Sequence, residues 1–334
     1  MRSQIHKLSC LPCLLALLLL FSATAQAAPY KVYLVVWRGW EDAAQGFKDY
    51  FSTNKIPLEL IVRDAGRDKS KLPEFVREIR ESSADLVVTW GTSVSLGILG
   101  PHRTREPERY IRKIPGLFMI VSQPVGCGLV PDFASSKRNI TGSRYLVPEQ
   151  TQLNAARGYL PFKRLAVIYN PTEKNSQINV ENLKRLAREE SFELLERPLP
   201  LDNQGKPIPE AIEPLVQELA AAKPLLLYQG ADSFLNVHRD TLTGAALKNG
   251  IPVLSAGENP VRRSNALLGI INRYYAVGQL TGLKAREILV DDKDPRTIPI
   301  TAPKHFSYMI NMRVARQLKL YPPMNILKFA EIIE

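Results

Sequence analysis

The sequence predicts an α/β fold of two Rossmann-like lobes, each a parallel sheet covered by helices on both faces. Three observations carry this reading. Short apolar runs alternate with segments whose apolar residues recur every three or four positions, the pattern of strands separated by helices. The alternation comes in two sets of similar size, one beginning near residue 31 and the other near residue 164. One more strand and helix follow the second set, enough to return to the first lobe.

In the first set, residues 31–36 are a strand rich in Val, Leu and Tyr, and the loop 37–41 leads into a helix carrying Ala43, Phe47, Tyr50 and Asn54. Residues 58–62 read as a strand, 73–81 as a helix with Phe75, Val76 and Ile79 inward, 85–90 as a buried strand, 93–100 as a helix and 117–122 as the closing strand. Strands joined through helices run parallel, with right-handed crossovers. The second set has strands at 165–169, 192–196, 225–228 and 251–254, with helices at 176–190, 212–222 and 234–249 between them. Gly250 ends the last helix in the manner of a C-cap. The tail adds a strand at 267–271, a long helix from 274 to about 290, a segment broken by Pro295, Pro299 and Pro303, and a last strand and helix through residues 310–318.

The chain has 334 residues, 45% hydrophobic and 23% charged, which excludes a disordered chain and is long enough for two domains. Its net charge is +11. Residues 1–28 read as a secretory signal peptide: Arg2, His6 and Lys7 precede an apolar run from Leu8 to Phe21, and Ala25-Gln26-Ala27 offers a small-x-small cleavage site. Without Arg2 and Lys7 the charge is +9, so most of the basic excess belongs to the folded protein. Cleavage also removes Cys10 and Cys13 and leaves Cys127 alone, with no intramolecular disulfide to form. The expected product is exported to the periplasm.

In open parallel sheets, ligands sit outside the carboxyl ends of the strands, so the residues just after each strand are the candidates. Gly91, Thr92 and Ser93 follow one strand, and Gln123 closely follows another; Asn175 and Ser176 open a helix after a third. Hydroxyls and amides there either bind an anion with the free backbone N–H groups or only cap their helices. Trp37 and Trp40, with Arg38 between them, lie in the first loop, as an aromatic wall for a ring or cation or as packing over the sheet end. Asp232 and Glu258 follow strands of the second set, where each either receives an ammonium group or caps a helix.

Signatures of catalysis are absent from the sequence. His102, His238 and His305 do not pair at metal-ligand spacing, and neither a Walker loop nor G-x-G-x-x-G occurs. No cofactor or metal is expected. The densest basic stretch, 102–113, is interrupted by Glu106, Pro107 and Glu108 and reads as a solvated loop, so nucleic acid is not an expected partner.

Trp90-Gly91-Thr92-Ser93, the run Gln123-Pro124-Val125-Gly126-Cys127-Gly128, Asn139-Ile140-Thr141-Gly142, the run Tyr169-Asn170-Pro171-Thr172-Glu173-Lys174-Asn175-Ser176 and the tail from Ile310 to Leu320 occur in an order and spacing that resemble the ABC transporter substrate-binding proteins of the tryptophan- and tyrosine-binding type. The resemblance covers nearly the whole mature chain. It implies a two-lobed, type I periplasmic binding protein with three hinge crossings and a ligand held between the lobes. The crossings are expected near Ser143-Arg144, Ala256-Gly257 and Thr301-Ala302, giving a first lobe of 29–143 plus 257–300 and a second of 144–256 plus 301–334.

The resemblance further implies a monomer that binds a small polar solute, an amino acid or a related compound, and presents it to an inner-membrane ABC permease with its ATPase. It places Thr92 and Ser93 in the first-lobe ligand loop, Asn175 and Ser176 in the second, and Asp232 where the family tends to have an acid. Gln123, Ser233 and the bulky 37–40 loop depart from the family's pattern, and Arg38 there is expected to favour an acidic ligand. A periplasmic sensing module that signals to a membrane receptor is the alternative, and a hydrolase on a similar fold a third reading.

Overall fold

The computed structural model describes residues 28–223 and 226–334, and residues 1–27 of the expected signal peptide lie outside the described residues. Two sheets are formed. The first contains β1 (Tyr30–Val36), β2 (Leu58–Asp64), β3 (Leu86–Trp90), β4 (Gly116–Val121) and β5 (Ile140–Arg144) in the order β2-β1-β3-β4-β5, with every pair parallel. The second contains β6 (Arg164–Tyr169), β7 (Glu193–Pro198), β8 (Leu226–Gln229), β9 (Val253–Ser255), β10 (Leu268–Ile271), β11 (Ser307–Asn311) and β12 (Glu331–Ile333). Its order is β12-β11-β10-β9-β8-β6-β7, so β7-β6-β8-β9-β10 repeats the winding of the first sheet. Only the β10–β11 pair is antiparallel.

The apolar runs explain the layering. Every residue of β3, β4 and β8 is buried, as strands must be when helices cover both sheet faces. Helices α1 (Asp42–Thr53), α2 (Leu72–Glu81) and α3 (Thr92–Ile98) belong to the first lobe; α4 (Glu149–Arg157), α5 (Lys174–Glu189), α6 (Ile212–Ala221), α7 (Ser233–Val237), α8 (Arg239–Lys248) and α9 (Glu258–Arg263) to the second. The long helix α10 (Tyr274–Leu289) returns to the first lobe, and α11 (Met312–Leu318) and α12 (Met324–Leu327) follow β11.

Three connectors join the lobes, and side chains tie them together. The first leaves β5 through Tyr145, the second runs from β10 through Asn272 and Arg273 into α10, and the third passes Thr301 on its way to β11. Asn272 Nδ2 donates to the Tyr145 carbonyl at 3.0 Å, linking the first and second. The first and third meet where Arg144 N donates to Thr301 O at 2.8 Å beside a parallel bridge between Ser143 and Thr301. From α10, Lys284 Nζ donates to the carbonyls of Gly142 and Pro299, each at 2.6 Å, and Thr281 Oγ1 donates to Ser143 Oγ at 2.9 Å. Lys284 is buried without a carboxylate partner, and burial pulls its pKa down to about 8.

Two expectations are corrected, and two elements stand outside them. Residues 268–271 do not sit in the first lobe: β10 pairs with β9 and β11, so the second connector lies at 272–273 and not at Ala256-Gly257. The reason is that β10 is the fifth strand of the second winding, the counterpart of β5 in the first. The expected helix 234–249 is two helices broken at His238, whose φ of −93° and ψ of 23° leave the helical region. Strand β5 and helix α4 were not foreseen, because Thr141-Gly142-Ser143 and the polar run of α4 lack the apolar periodicity that marks the other elements.

Return of α10 to the first lobe depends on two glycines. A Cβ on Gly278 would lie 2.1 Å from the Ala43 carbonyl oxygen of α1, and one on Gly46 would lie 2.3 Å from the Tyr275 carbonyl oxygen. The bare backbones permit Gln279 Nε2 to donate to the Gly46 carbonyl at 2.7 Å. Gly278→Ala is therefore expected to lower the free energy of unfolding by about 1–3 kcal/mol through overpacking. A urea titration with an unchanged midpoint would contradict this close approach.

Candidate functional site

In a sheet wound 2-1-3-4-5, the crevice opens at the carboxyl ends of the first and third strands, where successive connections leave to opposite faces. Both lobes have this crevice, at β1/β3 and at β6/β8, and the two face each other across one cleft. Trp37 and Arg38 follow β1, Trp90 ends β3, and Gly91, Thr92 and Ser93 turn into α3. Gly91 has a φ of +89°, a conformation that allows this sharp exit and that a side chain would strain. Opposite them stand Glu173 and Asn175 before and within the first turn of α5, and the 229–233 loop after β8. Tyr145 and Tyr274, on the first and second connectors, close the back.

The aromatic groups pack edge to face. Tyr274 lies 5.7 Å from Tyr145 and 6.5 Å from Trp90, centroid to centroid. The Tyr145 hydroxyl shares a 3.0 Å hydrogen bond with Ser122 Oγ, and burial pushes its pKa up to about 12, so it stays protonated. Ile120, also in the lining, has a φ of +56° where the β4–β5 register shifts. A β-branched residue in that region is strained, and such strain tends to be stored at functional sites.

Charge in the cleft is partly self-compensated. Arg38 places its guanidinium carbon 4.7 Å from the centroid of the Trp90 ring and holds Glu41 with two nitrogens, Nε at 2.8 Å and Nη2 at 3.3 Å. Asp232 accepts from Leu235 N on Oδ1 at 2.8 Å, and on Oδ2 from Asn170 N at 2.8 Å and Ser176 Oγ at 2.6 Å. Glu173 Oε2 accepts from Ser233 N at 2.7 Å. Burial raises the pKa of both acids, and the Asp232 charge raises that of Glu173 further, to about 7. Three donors stabilise ionised Asp232 against one for Glu173, so the proton of the pair resides on Glu173.

Two buried polar atoms of the lining have no partner among the described residues: Trp90 Nε1, a donor, and Gln229 Oε1, an acceptor. Trp90 is 3% exposed and Gln229 1%. They end β3 and β8, one from each lobe. Leaving such a group unpaired costs about 1–3 kcal/mol.

Of the expected site residues, Trp37, Arg38, Gly91, Thr92, Ser93, Asn175 and Asp232 line this cleft. Four stand elsewhere. Trp40 is 43% exposed, with its indole N–H donated to Gln45 Oε1 at 2.9 Å on the outer surface. Gln123 is turned to Glu149, donating to Oε1 at 3.1 Å. Ser176 faces inward to Asp232 because it lies one position further round α5 than Asn175. Glu258 is buried among Arg262, at 2.6 Å, and the Tyr274 backbone N–H, at 3.0 Å, and steadies the second connector. Asp232 caps α7, the structural role of the two considered, although it also reaches the cleft wall. Trp90 and Glu173 occur in the motifs that carry the resemblance, and Glu173 and Gln229 lie in segments that follow strands, but the sequence assigns none of the three a role of its own. Tyr145 and Tyr274 had no local signal, since only the folding of the connectors brings them in. Among the described residues no group of His, Cys, Asp and Glu is arranged to hold a metal ion, and no helix is long and apolar enough to cross a membrane.

The family model described as ABC transporter substrate binding protein matches residues 40–333. A tyrosine-binding protein of Clostridioides difficile (strain R20291) is 28% identical over 211 residues, 63% of this chain; the chain spans only 58% of that relative's length. A conserved domain protein from Vibrio cholerae superimposes with a TM-score of 0.78 at 22% identity, covering 92% of this chain and 100% of its own. The ABC domain in complex with L-Trp from Streptococcus pneumonia gives a TM-score of 0.77 at 18% identity, with the same coverage of both chains. At these identities the two structures speak for the fold.

The Glu173 carboxyl gives this cleft a pH signature. An unfolded glutamate titrates near ~4.3, against about 7 here. As pH rises between those values the unfolded chain ionises first, so stability present at low pH is lost as pH climbs through 7. Glu173→Gln, which stays neutral and still accepts from Ser233 N, is expected to flatten that fall. Urea titrations of both proteins across the window check it, and parallel pH profiles would remove the raised pKa.

Proposed function

Because the chain belongs to the ABC transporter substrate-binding protein family, we propose that it is the periplasmic solute-binding component of an ABC importer, closing its two lobes on an amino acid or a related compound. Its fold is that of the type I periplasmic binding proteins. The observation that carries the reading is the pair Trp90 Nε1 and Gln229 Oε1, unpartnered and contributed by opposite lobes to one cleft. A ligand that accepts from the indole and donates to the amide satisfies both only when the lobes are together. Closure then follows from differential affinity: a molecule touching both lobes stabilises the closed arrangement, whereas one touching a single lobe shifts nothing.

For an amino acid, Thr92, Ser93 and Asn175 offer donors for the carboxylate, and the Glu173–Asp232 pair, which shares one proton and keeps one negative charge, offers an acceptor for the ammonium. Trp37, Trp90, Tyr145 and Tyr274 wall the inner end of the cleft, where the head group sits. The names of the C. difficile and S. pneumonia proteins, tyrosine-binding and in complex with L-Trp, favour an aromatic side chain as the first to try. The three connectors act as the hinge, and an inner-membrane permease with its ATPase receives the solute.

A thermal-shift screen of ligand-stripped protein against amino acids tests this, since a ligand at ~1,000 times its dissociation constant stabilises by about 4 kcal/mol. Trp90→Phe separates binding from folding. It removes one unpaired donor and part of a packed ring, opposing effects that are expected to leave ligand-free stability within about 1–2 kcal/mol of wild type, while affinity falls about tenfold with the lost hydrogen bond. A melting point unmoved by every amino acid, or full affinity in the Phe variant, would sink the proposal.

A further inference from the structure

The inner cleft holds only about 40 Å³ of free space, room for a few water molecules. Small-molecule sites generally need roughly 300 Å³ or more. Directly outside it lies a groove of about 580 Å³ that shares Thr92, Ser93, Glu173 and Asn175 with the cleft. A ligand whose polar head reaches Trp90 and Gln229 therefore has its space for a larger body on this side.

The groove has a definite chemistry. Leu72, Val76, Leu96 and Tyr110 give it an apolar floor. Five cations line it against a single acid, Glu173. Two of the five are engaged: Arg109 pairs with Glu106 at 2.6 Å, and Arg80 donates to the carbonyls of Glu108 and Tyr110. Lys69, Arg77 and Lys174 make no ion pair or side-chain hydrogen bond among the described residues and are exposed. Lys69 and Arg77 come from the first lobe, Lys174 from the first turn of α5 in the second. Cations left unpaired around an apolar floor, contributed by both lobes, complement an amphiphilic anion.

Resting on the binding reading of the cleft, we propose that the ligand carries an acid group on its apolar end, lays that end in this groove and has the acid bound by Lys69, Arg77 and Lys174. The acid is a carboxylate or a phosphate, the chemistry the three cations share. It adds a second bridge between the lobes, so it strengthens closure as well as affinity.

Calorimetry with three probes tests this: L-tyrosine, O-phospho-L-tyrosine and para-carboxy-L-phenylalanine, which present the same head with no acid, a phosphate or a carboxylate on the ring. At least one ring acid is expected to bind tenfold or more tightly than L-tyrosine, and the two acids distinguish phosphate from carboxylate. The combined variant Lys69→Ala, Arg77→Ala, Lys174→Ala should abolish that advantage while keeping the wild-type melting point and L-tyrosine affinity. Replacement of the two lysines by arginine should retain the advantage, and added salt should reduce it. Binding of L-tyrosine with no gain for either acid, or a gain that survives the triple variant, overturns the inference and leaves the proposed function standing. Absence of binding by all three overturns it together with the aromatic amino-acid reading.

Discussion

Parallel strands deliver all their carboxyl ends to one edge of a sheet, and in this protein two such edges are held face to face. That constraint concentrates loop polarity in one place, where most of it is neutralised within its own lobe: Asp232 by three donors, Arg38 by Glu41, Thr89 by Ser95 at 2.8 Å. Among the described lining residues, the buried side-chain atoms left without a partner are one donor from the first lobe, Trp90 Nε1, and one acceptor from the second, Gln229 Oε1. A molecule inserted between the lobes meets a wall already rigid in its charged parts, with a small number of open valences. Specificity in such a site comes from satisfying buried polar groups, because an analogue that leaves one unpaired forfeits its full desolvation cost.

The connectors determine whether those open valences meet. Asn272 fastens the first connector to the second, and Ser143, Arg144 and Thr301 fasten the first to the third. Lys284 reaches beneath them to two carbonyls of different segments. Carbonyls accept from a buried ammonium without adding a charge to be moved, so the three segments are held in register by groups that do not change sides between lobes. The close approach of α1 and α10, at Gly278 against Ala43 and at Gly46 against Tyr275, brings α10, and with it Tyr274, close enough to the first sheet to pack on Trp90.

Apolar strand runs made the two windings legible in the sequence, because burial on both faces writes a strand as an uninterrupted hydrophobic word. The same rule hid β5, whose Thr141, Gly142 and Ser143 are buried without being apolar. It also gave no means of assigning β10 to a sheet, since pairing partners are a tertiary property. At the site, loop positions after strands identified much of the cleft, but one step around α5 separates Asn175, which lines it, from Ser176, which faces inward to Asp232. Helix 174–189 begins at Lys174, and that phase is not fixed by sequence alone. Arg38 stood out as the positive charge at the cleft, yet Glu41, three residues on, compensates it. The cations left free lie in other elements, Lys69 in the turn before α2, Arg77 in α2 and Lys174 at the start of α5, where the basic excess of the whole chain gave no local sign of them.

A ligand held between the lobes is expected to accept a hydrogen bond from Trp90 Nε1. The chain contains three tryptophans, Trp37, Trp40 and Trp90, so an isotope-labelled indole N–H NMR spectrum has few resonances to resolve, and the Trp90→Phe variant assigns the one that matters. On saturation with a bound ligand, that resonance should move downfield and its exchange with water should slow, while Trp40, on the outer surface, stays in place. A Trp90 resonance that keeps its ligand-free position while calorimetry reports saturation would contradict the account.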